Sequence, residues 1–195
     1  IDAIGHERMA ELFAEAGVKT PAVLTEGGEF YRAEGRTLEV RHAGGGYRPV
    51  SLPDGVMRFH MTRRTLTPVT ANNSASLFAL EGDLRLVEFH SKANALTDES
   101  MEIVAAAAAD HGTGIIIHND AQHFSAGVDL NAFRAYIEAE DWDGIDGFLD
   151  RFQKAVCALK YTPVPVVGAP SGLAAGGGYE VLAHCDRLVV HTNSV

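Results

Sequence analysis

The sequence predicts an α/β domain preceded by a short helix and a β-hairpin segment, and three observations carry that expectation. Compact apolar runs at Leu84–Phe89, Gly114–His118, 164–169 and 187–191 alternate with stretches of helical period, as strands and helices do in an α/β sheet. Two of the junctions where such a run hands over to a helix, 124–130 and 171–180, are crowded with Gly, Ala and Ser. Residues 26–59 have a different character, with glycines and Pro53-Asp54-Gly55 cutting the chain into short pieces.

Taken in order, Ile4, Met9, Leu12, Phe13 and Ala16 recur at three- and four-residue spacing, and Gly17 stops the pattern, so 4–16 reads as an amphipathic helix. The pieces 37–40 and 47–50 flank Gly44-Gly45-Gly46, which is a hairpin signal. Residues 58–73 are polar and without period, and read as a linker or strand-like arm. A second domain is expected from residue 74. Strands at 76–80 and 84–89 are joined by Glu81-Gly82-Asp83, and Thr97 opens a helix through Ala105–Ala109 that His111-Gly112 closes. The Ile-rich run Gly114–His118 reads as a buried strand, and Leu130–Glu138 and 145–159 as helices. A strand at 164–169, a short helix at 177–184 and a last strand at 187–191 complete the order.

Composition narrows the class of function. Against 16 Lys and Arg stand 26 Asp and Glu, a formal charge of −10, and 46% of residues are hydrophobic. Residues 1–70 hold 9 basic and 9 acidic side chains, so the whole excess lies in 71–195, which argues against nucleic acid as a partner. No run approaches the roughly 18 apolar residues of a membrane span, and no signal peptide is visible. Two cysteines, Cys157 and Cys185, make neither a disulfide framework nor a zinc knuckle, read as small buried hydrophobes, and suit a cytoplasmic protein. The chain starts at Ile1 and stops at Val195 just after an apolar run, which reads as a piece of a longer polypeptide.

The two junctions are where chemistry is expected. Glycine clears the approach to peptide N–H groups at the positive end of a helix, and a pair of such donors is what an oxyanion requires. Glu180 follows Gly177 by about one turn, so its carboxylate can share a face with that N–H, and apolar neighbours Val181, Leu182 and Ala183 predict a buried, more basic carboxylate. An acid in a first helical turn also simply complements the helix dipole, and spacing leaves both readings open. Gly176-Gly177-Gly178 lacks the residues of a phosphate loop and does not fit a dinucleotide fingerprint. Ser171 sits outside a nucleophile-elbow pattern, with His184 the only nearby base for a serine hydrolase. His118 and His123 match no metal spacing and read as solvated loop histidines, and the acidic stretch 138–146 reads as a solvated loop and helix start anchored by Trp142.

Phe124-Ser125-Ala126-Gly127-Val128-Asp129-Leu130 and Gly172-Leu173-Ala174-Ala175-Gly176-Gly177-Gly178-Tyr179-Glu180 resemble the paired motifs of the crotonase superfamily, the enoyl-CoA hydratases and isomerases. His90-Ser91-Lys92-Ala93-Asn94-Ala95-Leu96 resembles that family's element along the coenzyme A site. The resemblance implies a partial crotonase-like fold of repeated ββα units over 74–195. It places the oxyanion donors on the N–H groups of Val128 and Gly177, and the first catalytic glutamate on Glu180. Ser91, Lys92, Ala95, Ala126, Asp129 and Leu130 fall around the thioester and coenzyme A. The family's second catalytic glutamate falls beyond Val195, so residues 1–195 alone are expected to be inactive.

Residues 2–9 and Phe30-Tyr31-Arg32 are similar to the end of 3-hydroxyacyl-CoA dehydrogenases, which implies a dehydrogenase tail at 1–59, a linker at 60–73 and a fused β-oxidation enzyme. That resemblance implies an acyl-CoA substrate, a homo-oligomer or a thiolase-containing complex, no metal, and NAD only in a dehydrogenase part outside this chain. The alternatives are an enoyl-CoA isomerase, an activity residing in the dehydrogenase half, and a non-catalytic assembly module.

Overall fold

The computed structural model describes residues 4–25, 28–34, 37–42, 45–54, 56, 58–192 and 194–195. Two compact units divide the chain, Ile1–Leu66 and Thr67–Val195.

In the first unit, α1 (His6–Glu15) ends where Gly17 turns to φ 66° and Val18 N–H reaches back to Phe13 O at 2.9 Å. The short α2 (Ala22–Thr25) buries Leu24. Strands β1 (Tyr31–Glu34), β2 (Thr37–Arg41) and β3 (Tyr47–Pro49) form an antiparallel sheet in that order, with Arg41 opposite Tyr47 as the hairpin signal implies. Gly44, in the glycine triplet, lies outside the described residues. Sequence patterning misses β1 because all four of its residues are exposed. An ion pair from Arg32 to Glu39 at 2.8 Å secures it, with the Arg32 guanidinium 4.0 Å from the centroid of the Tyr47 ring. The polar stretch expected to be a linker or strand-like arm carries α3 (Phe59–Thr62), a 3₁₀ turn at Arg63–Thr65 and, already in the second unit, β4 (Thr70–Ala71). With Phe59 the only buried residue of the two helical turns, no period could mark them.

In the second unit, β5 (Ala75–Leu80) and β6 (Leu84–Phe89) form the expected hairpin, and β4 pairs with β5 at the edge. β6, β7 (Gly114–His118), β9 (Val166–Ala169) and β11 (Arg187–Leu188) are neighbours in parallel, giving the six-strand order β11-β9-β7-β6-β5-β4. Leu77, Val87, Phe89, Ile115, Ile117 and Val166 recur at period two and are buried in one core with α4 (Asp98–Ala109) and α6 (Trp142–Lys160). Thr97 starts α4 through a capping box with Ser100, both bonds at 3.2 Å. α5 (Leu130–Glu138) keeps its expected bounds, whereas α6 starts at Trp142, one residue after its cap Asp141. Trp142 is 61% exposed, not a buried anchor, and the Asp141 cap marks that helix end. α7 (Gly177–Ala183) packs Leu182 where Gly168 leaves room; a Cβ there would stand 2.6 Å from Leu182 Cδ2.

Two further expectations are corrected. Cys157 is exposed on α6 and Cys185 only half-buried. His118 and His123 belong to strands and are half-buried, and His118 Nδ1 bonds Ala169 O at 2.7 Å across the ends of β7 and β9. Among the described residues no helix is long and apolar enough to cross a membrane.

Candidate active site

Because β6, β7 and β9 run parallel, the segments that follow them emerge at one edge of the sheet, where α/β folds bind ligands. Those three segments contain the three motif elements.

After β6, the chain turns through a 3₁₀ segment, Lys92–Asn94, with Ala93 at φ 56° and Asn94 at φ 51°. The turn presents Asn94, which donates from Nδ2 to His123 O at 2.8 Å and accepts at its carbonyl from Ser125 Oγ at 2.7 Å. Leu96 N–H then donates to Gly127 O at 2.8 Å, and Asp129 N–H returns to Leu96 O at 2.9 Å, a parallel bridge between Leu96 and Val128.

After β7, Asn119 is 1% exposed and serves as a clamp: its Oδ1 accepts the Phe89 N–H at 2.7 Å and its Nδ2 donates to Phe124 O at 2.5 Å. The Phe89 and Phe124 rings meet edge to face at 6.0 Å beneath it. Strand β8 (His123–Ser125) pairs in parallel with β10 (Leu173–Ala174), and Ala175 N–H donates to Ser125 O at 3.0 Å. The first junction is thereby laid against the second.

At that contact Gly127 holds φ 91°, and a Cβ on it would stand 3.0 Å from Ala175 O and 3.7 Å from Gly177 N. A Cβ on Gly177 would stand 2.9 Å from Val128 Cγ2. Both positions need glycine for close approach, and the first also for its backbone angle. Among the described residues neither the Val128 N–H nor the Gly177 N–H has an acceptor, and Gly177 is the first residue of α7, where intrahelical acceptors are lacking. Two backbone donors at adjoining junctions are thus left without an acceptor among the described residues.

The remaining predicted residues take distinct places. Glu180 lies in α7 as expected but is exposed, not buried. The helix turns Gly177, Gly178, Val181 and Leu182 inward, and Glu180 shares the outer face with Tyr179 and Ala183. Asp129 caps α5 by accepting the Asn131 N–H at 2.9 Å, Leu130 is 76% exposed, and Ala126 is exposed. Ser91 Oγ donates to Ala95 O at 2.5 Å, with Lys92 exposed beside it. His184 Nδ1 bonds Glu180 O at 2.7 Å within its own helix end, and among the described residues no hydrogen bond joins His184 to Ser171. Among the described residues no cluster of His, Cys, Asp and Glu could hold a metal ion. Sequence reasoning assigned no role to Asn94, Asn119 or Ser125, although each is a polar residue adjoining an apolar strand or motif residue, and that placement was the available signal.

Residues 84–195 match the model of the enoyl-CoA hydratase/isomerase family, so the chain belongs to that family. Along 96% of its length it is 29% identical to a Bacillus subtilis protein named "Probable 3-hydroxyacyl-CoA dehydrogenase", of which it spans 25%. Over 81 residues, 42% of the chain, it is 31% identical to the fatty acid oxidation complex subunit alpha of Idiomarina loihiensis, of which it spans 11%. An enoyl-CoA hydratase/carnithine racemase structure from Magnetospirillum magneticum superposes with a TM-score of 0.57 at 20% identity, covering 64% of this chain and 48% of that one. The structural likeness establishes a partial crotonase fold.

Proposed function

We propose that the full-length protein adds water across the double bond of a trans-2-enoyl-CoA, and that this hydratase is joined to a 3-hydroxyacyl-CoA dehydrogenase. The observation that carries the reading is the pair of unspent N–H donors at Val128 and Gly177. They would hold the thioester oxygen as an enolate forms, while the hydroxyl of water bonds to the β-carbon and a proton is delivered to the α-carbon. Glu180 orients and deprotonates the water, and a second carboxylate beyond Val195 supplies the α-proton. Glu180 lies on the exposed face of α7. Ser91, Lys92, Ala95, Ala126, Asp129 and Leu130 flank the approach of coenzyme A, with Lys92 answering its phosphates.

The fusion reading draws on the end-to-end similarity to the Bacillus subtilis protein and that protein's name. NAD would serve the dehydrogenase part; residues 1–195 carry no dinucleotide fingerprint, and none is assigned to it. A homo-oligomer or a thiolase-containing complex in the cytoplasm belongs to the same proposal.

The test is loss of the conjugated thioester absorbance when the full-length protein meets crotonyl-CoA. Glu180→Gln should lower the rate by about 10²–10⁴-fold. Gly177→Pro, which removes an N–H, should lose about 10²–10³ beyond Gly177→Ala, which keeps the N–H but adds the crowding methyl. Conversion only of a 3-enoyl thioester to its conjugated isomer would make the protein an isomerase. Acyl-CoA binding that ignores changes at Val128 and Gly177 would make it an assembly module.

A further inference from the structure

We infer that Ser125 is the positioning residue for both oxyanion donors, acting through its hydroxyl on one junction and through its own carbonyl on the other. The inference rests on the oxyanion reading above and adds to it a residue that touches no substrate.

Ser125 is 0% exposed, so its hydroxyl must find partners inside the protein, and both it finds lie at the site. Oγ donates to Asn94 O at 2.7 Å and accepts the Gly127 N–H at 3.1 Å. The next peptide carries the Gly127 carbonyl and the Val128 N–H in one plane, pointing opposite ways. Leu96 N–H holds that carbonyl at 2.8 Å, so the Val128 N–H is aimed away from Leu96, while Ser125 Oγ sets the peptide before it. Only the two torsions of Gly127, at φ 91°, separate the two anchors.

On the other junction, Ser125 O accepts the Ala175 N–H at 3.0 Å, and Ala175 O accepts the Gly178 N–H at 2.9 Å. Gly178 sits directly on the serine: a Cβ there would stand 2.7 Å from Ser125 Cβ and 3.0 Å from Oγ. One residue therefore sets both Gly127 and the first turn of α7, where Gly177 lies. Replacing the hydroxyl by hydrogen leaves the Gly127 N–H unsatisfied and frees that peptide to turn, which misaims a donor without removing it.

The experiment compares the full-length protein with Ser125→Ala and Ser125→Cys, using crotonyl-CoA labelled with ¹³C at the thioester carbonyl. Bound substrate is read by the infrared stretch of that carbonyl, and turnover by kcat and KM. The unsubstituted protein should lower the stretch on binding. Ser125→Ala should recover part of that lowering and lose about tenfold to a hundredfold in kcat, less than loss of a donor outright, with KM little changed. Ser125→Cys, a weaker donor, should fall between and can be read if the alanine variant fails to fold. Variants that keep both the full lowering and kcat would overturn the role of Ser125 and leave the oxyanion reading standing. No lowering in the unsubstituted protein would overturn both.

Discussion

Gly127 and Gly177 face each other so closely that a methyl on Gly127 would stand 3.7 Å from the Gly177 nitrogen, with the Ala175 carbonyl oxygen nearer still at 3.0 Å. Two junctions some fifty residues apart in sequence are thus held at side-chain-free distance. Gly127→Ala would add the contact with Ala175 O and the strain of φ 91°. Chemical denaturation should show a loss of about 1–3 kcal/mol. The hydration proposed for the full-length protein predicts that its turnover of crotonyl-CoA falls further than that loss of folded protein explains.

Asn119 spends both ends of its amide on buried backbone, the Phe89 N–H and the Phe124 carbonyl. Asn119→Leu strands both, at about 1–3 kcal/mol each, so unfolding in urea should show about 2–6 kcal/mol less stability. A loss well under about 1 kcal/mol would mean that neither backbone group is stranded by the change.

The Arg85 guanidinium donates to both carboxylate oxygens of Asp110, at 3.1 and 2.9 Å, and this holds the Asp110 carboxyl below the usual carboxylate range. A lowered folded-state pKa gives stability that is present above the unfolded value and is lost as pH falls through the folded one. The urea midpoint of Asp110→Asn should therefore lie below that of the parent at neutral pH and converge with it on acidification. High salt should narrow the gap, since the carboxylate is exposed. A gap that persists below both pKa values would assign the effect to packing.

Burial pushes the Cys185 thiol up to about 12, with the nearby Asp186 charge adding to it, whereas Cys157 is exposed on α6. Since the thiolate is the reacting species, iodoacetamide at mildly alkaline pH should label Cys157 in the folded protein and spare Cys185. Peptide mapping checks this; prompt labelling of Cys185 would mean that α7 opens readily.

Elements with a strong local signature were legible. Gly114–His118 and Leu130–Glu138 have the expected bounds because an Ile run and an Asp-capped amphipathic turn announce themselves within a few residues. β8 and β10 were not legible: with three and two residues they carry no period, and exist because they pair with each other. Glu180 shows the same limit. Its apolar neighbours suggested burial, but helical phase turned Val181 and Leu182 inward and left the carboxylate outside.

The α/β order, the glycines at 127 and 177 and the motif elements that mark the enoyl-CoA hydratase/isomerase family are all legible in the linear chain. Side-chain size, backbone freedom and hydrophobic period are local properties, and a linear pattern records them. Which donors are left without an acceptor emerges only on folding. Every residue but proline carries the same N–H and C=O; the bond from Leu96 to the Gly127 carbonyl turns the Val128 N–H away, and the start of α7 leaves the Gly177 N–H without an intrahelical acceptor.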